Sequence, residues 1–221
     1  MLILYYHPLC SFSRQIKFLL IEKKIDFEIK KENFWEKNLS LLSLNPAVEL
    51  PILITEDGNI CGIWPIYEYL EEKYPEEKFI GNSLSEKAET RRLFDWFNRK
   101  TYQEVVKYII SERLIKRFQP NSCPKSDFIR AAKHNLFVHL DYIDFLLSRR
   151  KWLAGEKFSS ADLAASCQIS VLDYFGDIDW DYNHNVKSWY SVIKSKPSFQ
   201  ALLKDRVPGI EPSAYYNLLD F

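Results

Sequence analysis

Three side chains within four residues have the chemistry of nucleophiles: Cys10, Ser11 and Ser13, in the stretch Tyr6-His7-Pro8-Leu9-Cys10-Ser11-Phe12-Ser13-Arg14. A thiol is the most readily activated of them, because a modest fall in its pKa yields thiolate at neutral pH. A helix N-terminus lowers it by presenting free backbone N–H groups and roughly half a positive elementary charge. The flanking residues predict such a terminus here. Leu2 to Tyr6 form an apolar strand that Pro8 ends, Cys10 or Ser11 stands at the N-cap, and Phe12, Ile16, Leu19 and Leu20 share one helical face. Cys10 is then the candidate for mixed-disulfide exchange or thiol transfer, with Ser11 and Ser13 as hydroxyl donors. Tyr6 is a third kind of donor, and His7 is a neighbour able to assist the thiol. The plainer alternative makes Cys10 a small apolar filler and the serines caps.

The elements that must position this turn read β-α-β-α-β-β-α. The first helix is followed by an alternating strand, Ile25 to Ile29, and then by a short helix between Asn33 and Leu44 that Asn45-Pro46 stops. Pro51 to Ile54, the turn Glu56-Asp57-Gly58-Asn59 and a strand about Ile60 make a hairpin, and a closing helix begins near Trp64-Pro65. A proline at the head of a strand is sterically allowed, and a cis Leu50-Pro51 bond would turn the Leu50 backbone toward Cys10. These elements predict an α/β first domain over 1–76 and a linker over 77–84.

Beyond the linker the strand signals vanish. Ser85 is read as the cap of a long helix running toward Phe118, and a second long helix spans Ser126 to Arg150 with Ile129, Leu136, Leu140, Ile143 and Leu147 inward. Two long helices without strands predict an all-helical domain over 85–204. Within it Ser159 and Asp162 have capping-box spacing, with Phe158 and Leu163 placed as a hydrophobic staple. The final segment, 205–221, contains two prolines and a glycine, has no helical period, and still carries aromatic residues. Disordered tails are poor in these, so the segment is expected to lie on a surface, its own or a partner's, with Tyr215, Tyr216, Leu219, Asp220 and Phe221 as the partner-facing candidates.

Composition removes several function classes. Thirty basic residues balance thirty acidic ones, so no electrostatic drive favours nucleic acid or an anionic membrane. No apolar run approaches the roughly 18 residues of a membrane span, and Met1-Leu2-Ile3-Leu4-Tyr5 lacks a basic n-region, so a cytoplasmic protein is expected. The four cysteines are widely spaced, with no Cys-x-x-Cys pair and no histidine partner at ligand spacing, which predicts neither a disulfide framework nor a metal site. His134, His139 and His184 have no partners at catalytic spacing and are read as structural.

The helix-start Cys10/Ser11 facing Leu50-Pro51 resembles the thioredoxin-like domain of the glutathione S-transferase superfamily. Leu153-Ala154-Gly155 followed by Ser159-Ser160-Ala161-Asp162 is similar to the capping motif in that family's helical domain. The resemblance covers roughly 1–204 and implies glutathione as a possible co-substrate, no tightly bound cofactor, and a homodimer. By the same resemblance, Leu50, Pro51, Ile63 and Trp64 occupy the glutathione-binding positions. Two of them depart from the family pattern, since Ile63-Trp64 stand where glutathione-binding members carry an acidic residue and Ser. Losing polar partners for a charged ligand end costs ~1 to 3 kcal/mol each.

Trp64-Pro65-Ile66-Tyr67-Glu68-Tyr69-Leu70, the Trp96 and His139 neighbourhoods, Leu172-Asp173-Tyr174-Phe175-Gly176-Asp177 and the tail resemble the FtsZ-binding, transferase-like cell-division proteins of alphaproteobacteria. That resemblance implies a mainly non-catalytic adaptor that binds the tubulin-like division protein FtsZ. The alternatives are a glutathione-dependent transferase acting on a small electrophile through Cys10, or through Ser11 or Ser13, and a thiol oxidoreductase using Cys10 alone.

Overall fold

The computed structural model describes residues 1–36 and 38–219, and the chain divides into two compact units, Met1–Lys78 and Phe79–Phe221. In the first, strand β1 (Leu2–Tyr6) leads to helix α1 (Ser11–Glu22), β2 (Phe27–Lys31), α2 (Leu39–Leu44), β3 (Ile52–Thr55), β4 (Gly58–Cys61) and α3 (Ile63–Lys73). The sheet order is β2-β1-β3-β4, with β1 parallel to β2 and antiparallel to β3, and β3 antiparallel to β4. The central strands are apolar because both of their faces are covered: Leu4, Tyr6, Ile52 and Leu53 are fully buried, as are Ile16, Phe18, Leu19 and Leu20 of α1.

Several boundaries differ from expectation for local reasons. The second strand starts at Phe27, not Ile25, and as an edge strand it leaves Ile29 exposed. The second helix is shorter than its sequence window because Asn38 caps it, its side-chain oxygen accepting from the Leu41 amide at 2.7 Å. Thr55 braces the hairpin, its hydroxyl donating to the Gly58 carbonyl at 3.0 Å and accepting from the Asp57 amide at 3.0 Å. Lys23 ends α1 and also serves α3, its ammonium donating to the Tyr74 carbonyl at 2.8 Å and pairing with Glu71 at 3.0 Å.

The second unit opens with α4 (Leu84–Asp95), whose N-cap is Ser83, not Ser85. The reason is spacing: Ser83 and Glu86 form a reciprocal capping box, and Glu86 also accepts from the Asn82 amide at 2.9 Å. The helix continues through π-helical turns at Trp96–Val106, α5 (Lys107–Ile110), further π turns at Ser111–Ile115 and α6 (Lys116–Phe118). Then follow α7 (Ser126–Leu147), α8 (Ser160–Tyr174), α9 (His184–Lys194) and α10 (Pro197–Leu203). On α7 the inward positions are Leu136, Leu140, Ile143 and Leu146, with Ile129 and Leu147 only half buried.

The axis of this unit is α8, every residue of which is buried. Its start is fixed by Asp162, whose Oδ2 accepts from the Ser159 amide and hydroxyl at 3.0 and 2.9 Å, while Oδ1 accepts from the Leu153 amide and the Trp189 indole at 3.0 Å each. Burial nevertheless pushes the Asp162 carboxyl up to about 6, against the lowering effect of those donors. Among the described residues no helix is long and apolar enough to cross a membrane.

Candidate functional site

The turn between β1 and α1 is built as its sequence demands. The Cys10 amide donates to the His7 carbonyl at 3.0 Å, the Leu9 amide donates to His7 Nδ1 at 3.1 Å, and the Arg14 guanidinium donates to the Pro8 carbonyl at 2.7 Å. Cys10 is the N-cap and Ser11 the first helical residue. The Leu50-Pro51 bond is cis. The thiol of Cys10 donates across the turn to the Leu50 carbonyl, with 3.9 Å between Sγ and O.

The electrostatics depart from the sequence reading. A helix N-terminus was expected to favour thiolate at Cys10; instead burial raises the thiol's pKa, outweighing the lowering by hydrogen bonds from Ser13 and Phe12. Cys10 is only 7% exposed and belongs to an apolar cluster with Tyr5, Leu41, Leu50 and Ile52, against which Phe12, Phe34, Leu44 and Val48 pack. Ser11 and Ser13 are buried as well, and the Ser11 hydroxyl has no hydrogen-bond partner among the described residues. Tyr6 is fully buried, with the Lys17 ammonium 5.0 Å from its ring centroid.

His7 is also enclosed. Its Nδ1 is spent on the Leu9 amide, and its ring meets Phe34 and Trp35 edge-on at 5.3 and 4.9 Å. This aromatic roof was missed in the sequence because Phe34-Trp35 fell inside a window read as helix; an aromatic pair among polar loop residues was the available signal. Ile63 and Trp64 are half buried at the start of α3, whose N-cap is Gly62 at φ 90°, a conformation that disfavours any side chain. Among the described residues no side chain caps that terminus. The structure thus brings Cys10 to Leu50 and surrounds the pair with apolar side chains.

The tail folds back on its own unit. Val207-Pro208-Gly209-Ile210 is a turn closed by the Ile210 amide on the Val207 carbonyl at 3.1 Å, with Gly209 at φ 76°. The Tyr174 hydroxyl donates to the Ile210 carbonyl at 2.6 Å, Ser213 Oγ donates to the Asp173 carbonyl at 2.7 Å, and the Lys194 ammonium donates to the Tyr215 carbonyl at 3.0 Å. Tyr216, expected to face a partner, is instead fully buried, its ring 4.9 Å from that of Tyr174 and its hydroxyl directed to the Leu202 carbonyl at 3.4 Å. Tyr215, Leu218 and Leu219 are exposed at 57, 47 and 40%. Asp220 and Phe221 lie outside the described residues.

His139 acquires partners that sequence spacing hid. Its Nδ1 accepts from the Trp96 indole at 3.2 Å and stands 3.0 Å from the Thr101 hydroxyl, so the ring proton is on Nε2, directed to Glu104 at 3.0 Å. Trp96 and Thr101 are five residues apart, a separation that π turns align on one face. Burial lowers the His139 pKa, which keeps the ring neutral.

Residues 4–78 match the family model described as the glutathione S-transferase N-terminal domain. The chain is 39% identical to FtsZ-localized protein A of Caulobacter vibrioides over 99% of its own length and 97% of that protein's. The crystal structure of a glutathione S-transferase from Rhodospirillum rubrum superposes with a TM-score of 0.97 at 42% identity, covering all of both chains. The structure of FzlA from C. crescentus superposes with a TM-score of 0.95 at 38% identity, covering 100% of this chain and 99% of that one.

Proposed function

The chain belongs to the glutathione S-transferase family, and within it we propose that the protein acts as a non-catalytic cell-division adaptor that binds FtsZ. The observation that carries this reading is the similarity to FtsZ-localized protein A along nearly the whole of both chains. The Cys10 site supports the non-catalytic half: a thiol held protonated by burial is a poor nucleophile, and its hydrogen has a carbonyl acceptor already. The apolar Ile63-Trp64 pair supports it further, because a charged γ-glutamyl end would lose its counter-groups there.

The partner surface in this reading is the outer side of the tail, through Tyr215 and Leu219, with Leu218 beside them, and Asp220 and Phe221 are assigned to the same interface from the sequence alone. Tyr216 acts from beneath, as an anchor. The protein works in the cytoplasm as a homodimer, which presents two such tails and raises effective affinity for a polymer. Pelleting with FtsZ polymers tests the reading. The full chain should co-sediment in a saturable way, and a chain that stays in the supernatant at every FtsZ concentration contradicts it.

One observation favours a second reading, thiol transfer or glutathione conjugation through Cys10, with Ser11 or Ser13 assisting. The helix-start cysteine and cis Leu50-Pro51 are retained at hydrogen-bonding distance, and Ser13 lowers the thiol's pKa in opposition to burial. On this reading glutathione is a co-substrate held by Leu50 and Pro51. Turnover of an electrophilic substrate, abolished by Cys10→Ala, would put it first.

A further inference from the structure

The second unit contains a cleft of roughly 760 Å3 beneath the Gly209–Ser213 segment, within the size range of small-molecule sites. Pro124, Ile129, Phe175 and Pro212 give it apolar walls, and Arg113 and Arg117 are the cationic residues that line it. We propose that this cleft binds a flat aryl carboxylate, with the ring among the apolar walls and the carboxylate on the arginines.

Charge selects an anion. Asp177, whose side chain is fully buried, accepts from Arg113 at 2.7 Å and pairs with Lys133 at 3.0 Å, so one acid is shared between two cations. Arg117 is exposed and has no ion-pair partner among the described residues. Among the cleft's own lining residues two cations, Arg113 and Arg117, stand against one carboxylate, the exposed Glu211. The arrangement is also unfinished: Arg113 Nε and Asp177 Oδ2 are buried without a hydrogen-bond partner among the described residues. Guanidinium groups pair with a planar carboxylate through two parallel hydrogen bonds, which a compact ammonium cannot do.

Shape selects a flat apolar body. Proline rings and the Phe175 ring are rigid surfaces, so they lose little entropy on covering a ring. The cleft is also preformed. Tyr174 and Asp173 pin its roof through Ile210 at 2.6 Å and Ser213 at 2.7 Å, so no segment must order on binding.

Calorimetric titration of the full chain with 2-naphthoate, and in parallel with its neutral isostere 2-naphthamide, tests the proposal. Naphthoate should bind at one site with Kd below about 1 mM, and naphthamide about tenfold more weakly, the ratio expected for one good charge-assisted contact. Arg113→Gln and Arg117→Gln should each weaken naphthoate, and methyl resonances of Ile129 and Ile210 should shift on binding. Arg117 is exposed, so its variant keeps the fold even if loss of Arg113 unsettles Asp177. Absence of binding, equal affinity for the amide, or unchanged affinity in Arg117→Gln would each overturn the proposal.

Discussion

Cys10 Sγ stands 3.9 Å from the carbonyl oxygen of Leu50, a residue 40 positions away, and donates its proton there. Only the thiol form makes this contact, and burial favours the same form. A helix terminus therefore faces a cysteine it does not ionise. The site keeps the geometry of thiol chemistry while its electrostatics oppose it.

Alkylation should report this directly. With iodoacetamide at pH 7, Cys123, the exposed cysteine, should be modified first, and Cys10 should stay unmodified on the same timescale. Its rate should climb only as the pH passes the ordinary thiol value of 9.0, since its own pKa lies above that. Rapid labelling of Cys10 at pH 7, read by peptide mass, would show an activated thiolate.

Glutathione should bind poorly for a separable reason. Calorimetry on the native chain should show no heat up to about 10 mM, where occupancy would be worth only ~3 kcal/mol. Replacing Ile63→Glu together with Trp64→Ser returns an acid and a hydroxyl to the start of α3 and should bring measurable affinity. Equal binding by both proteins would mean that other residues hold the tripeptide.

Asp162 gives the fold a pH signature. Its folded-state pKa, about 6, exceeds the ordinary aspartate value of 3.8, so folding takes up a proton between the two. Its contribution to stability is complete below pH 3.8 and is lost as pH rises through about 6, a difference of ~3 kcal/mol for roughly two pKa units. Carbon-13 carboxyl NMR should find the Asp162 midpoint near 6; a midpoint near 4 would mean that the four hydrogen bonds at its oxygens outweigh burial. Asp162→Asn should lower the Tm, because one amide end would face two donors.

The two adjacent tyrosines of the tail should separate stability from recognition. Tyr216→Ala removes a fully buried ring and should cost about 3 kcal/mol in chemical denaturation. Tyr215→Ala and Leu219→Ala remove exposed side chains, so their unfolding should change by less than about 0.5 kcal/mol while FtsZ binding weakens. Unaltered FtsZ binding in both exposed variants would remove the tail from the interface.

The parts of this molecule legible in its sequence are those set by local chemistry. Pro8 stops a strand, Pro51 immediately precedes one, and Ser159 with Asp162 starts α8, because each acts within a few residues. Even local rules need the right spacing: Ser83 outcompetes Ser85 as a cap because Glu86 lies three residues after it. What escaped depends on distant packing. The thiol state of Cys10 follows from Leu41, Leu50 and Ile52 closing around it, and the burial of Tyr216 from a ring that meets Tyr174. The π turns at Trp96–Val106, which carry two donors to His139, leave no periodic signal that differs from an ordinary amphipathic helix.

In the proposed adaptor the fold serves attachment to FtsZ, and Cys10 is part of its core. The affinity of the native chain and of Cys10→Ala for FtsZ polymers, measured side by side by fluorescence anisotropy, separates attachment from thiol chemistry. Saturable binding with the same Kd is expected for both proteins. Loss of binding in Cys10→Ala with its fold intact, or no binding by either protein, would contradict it.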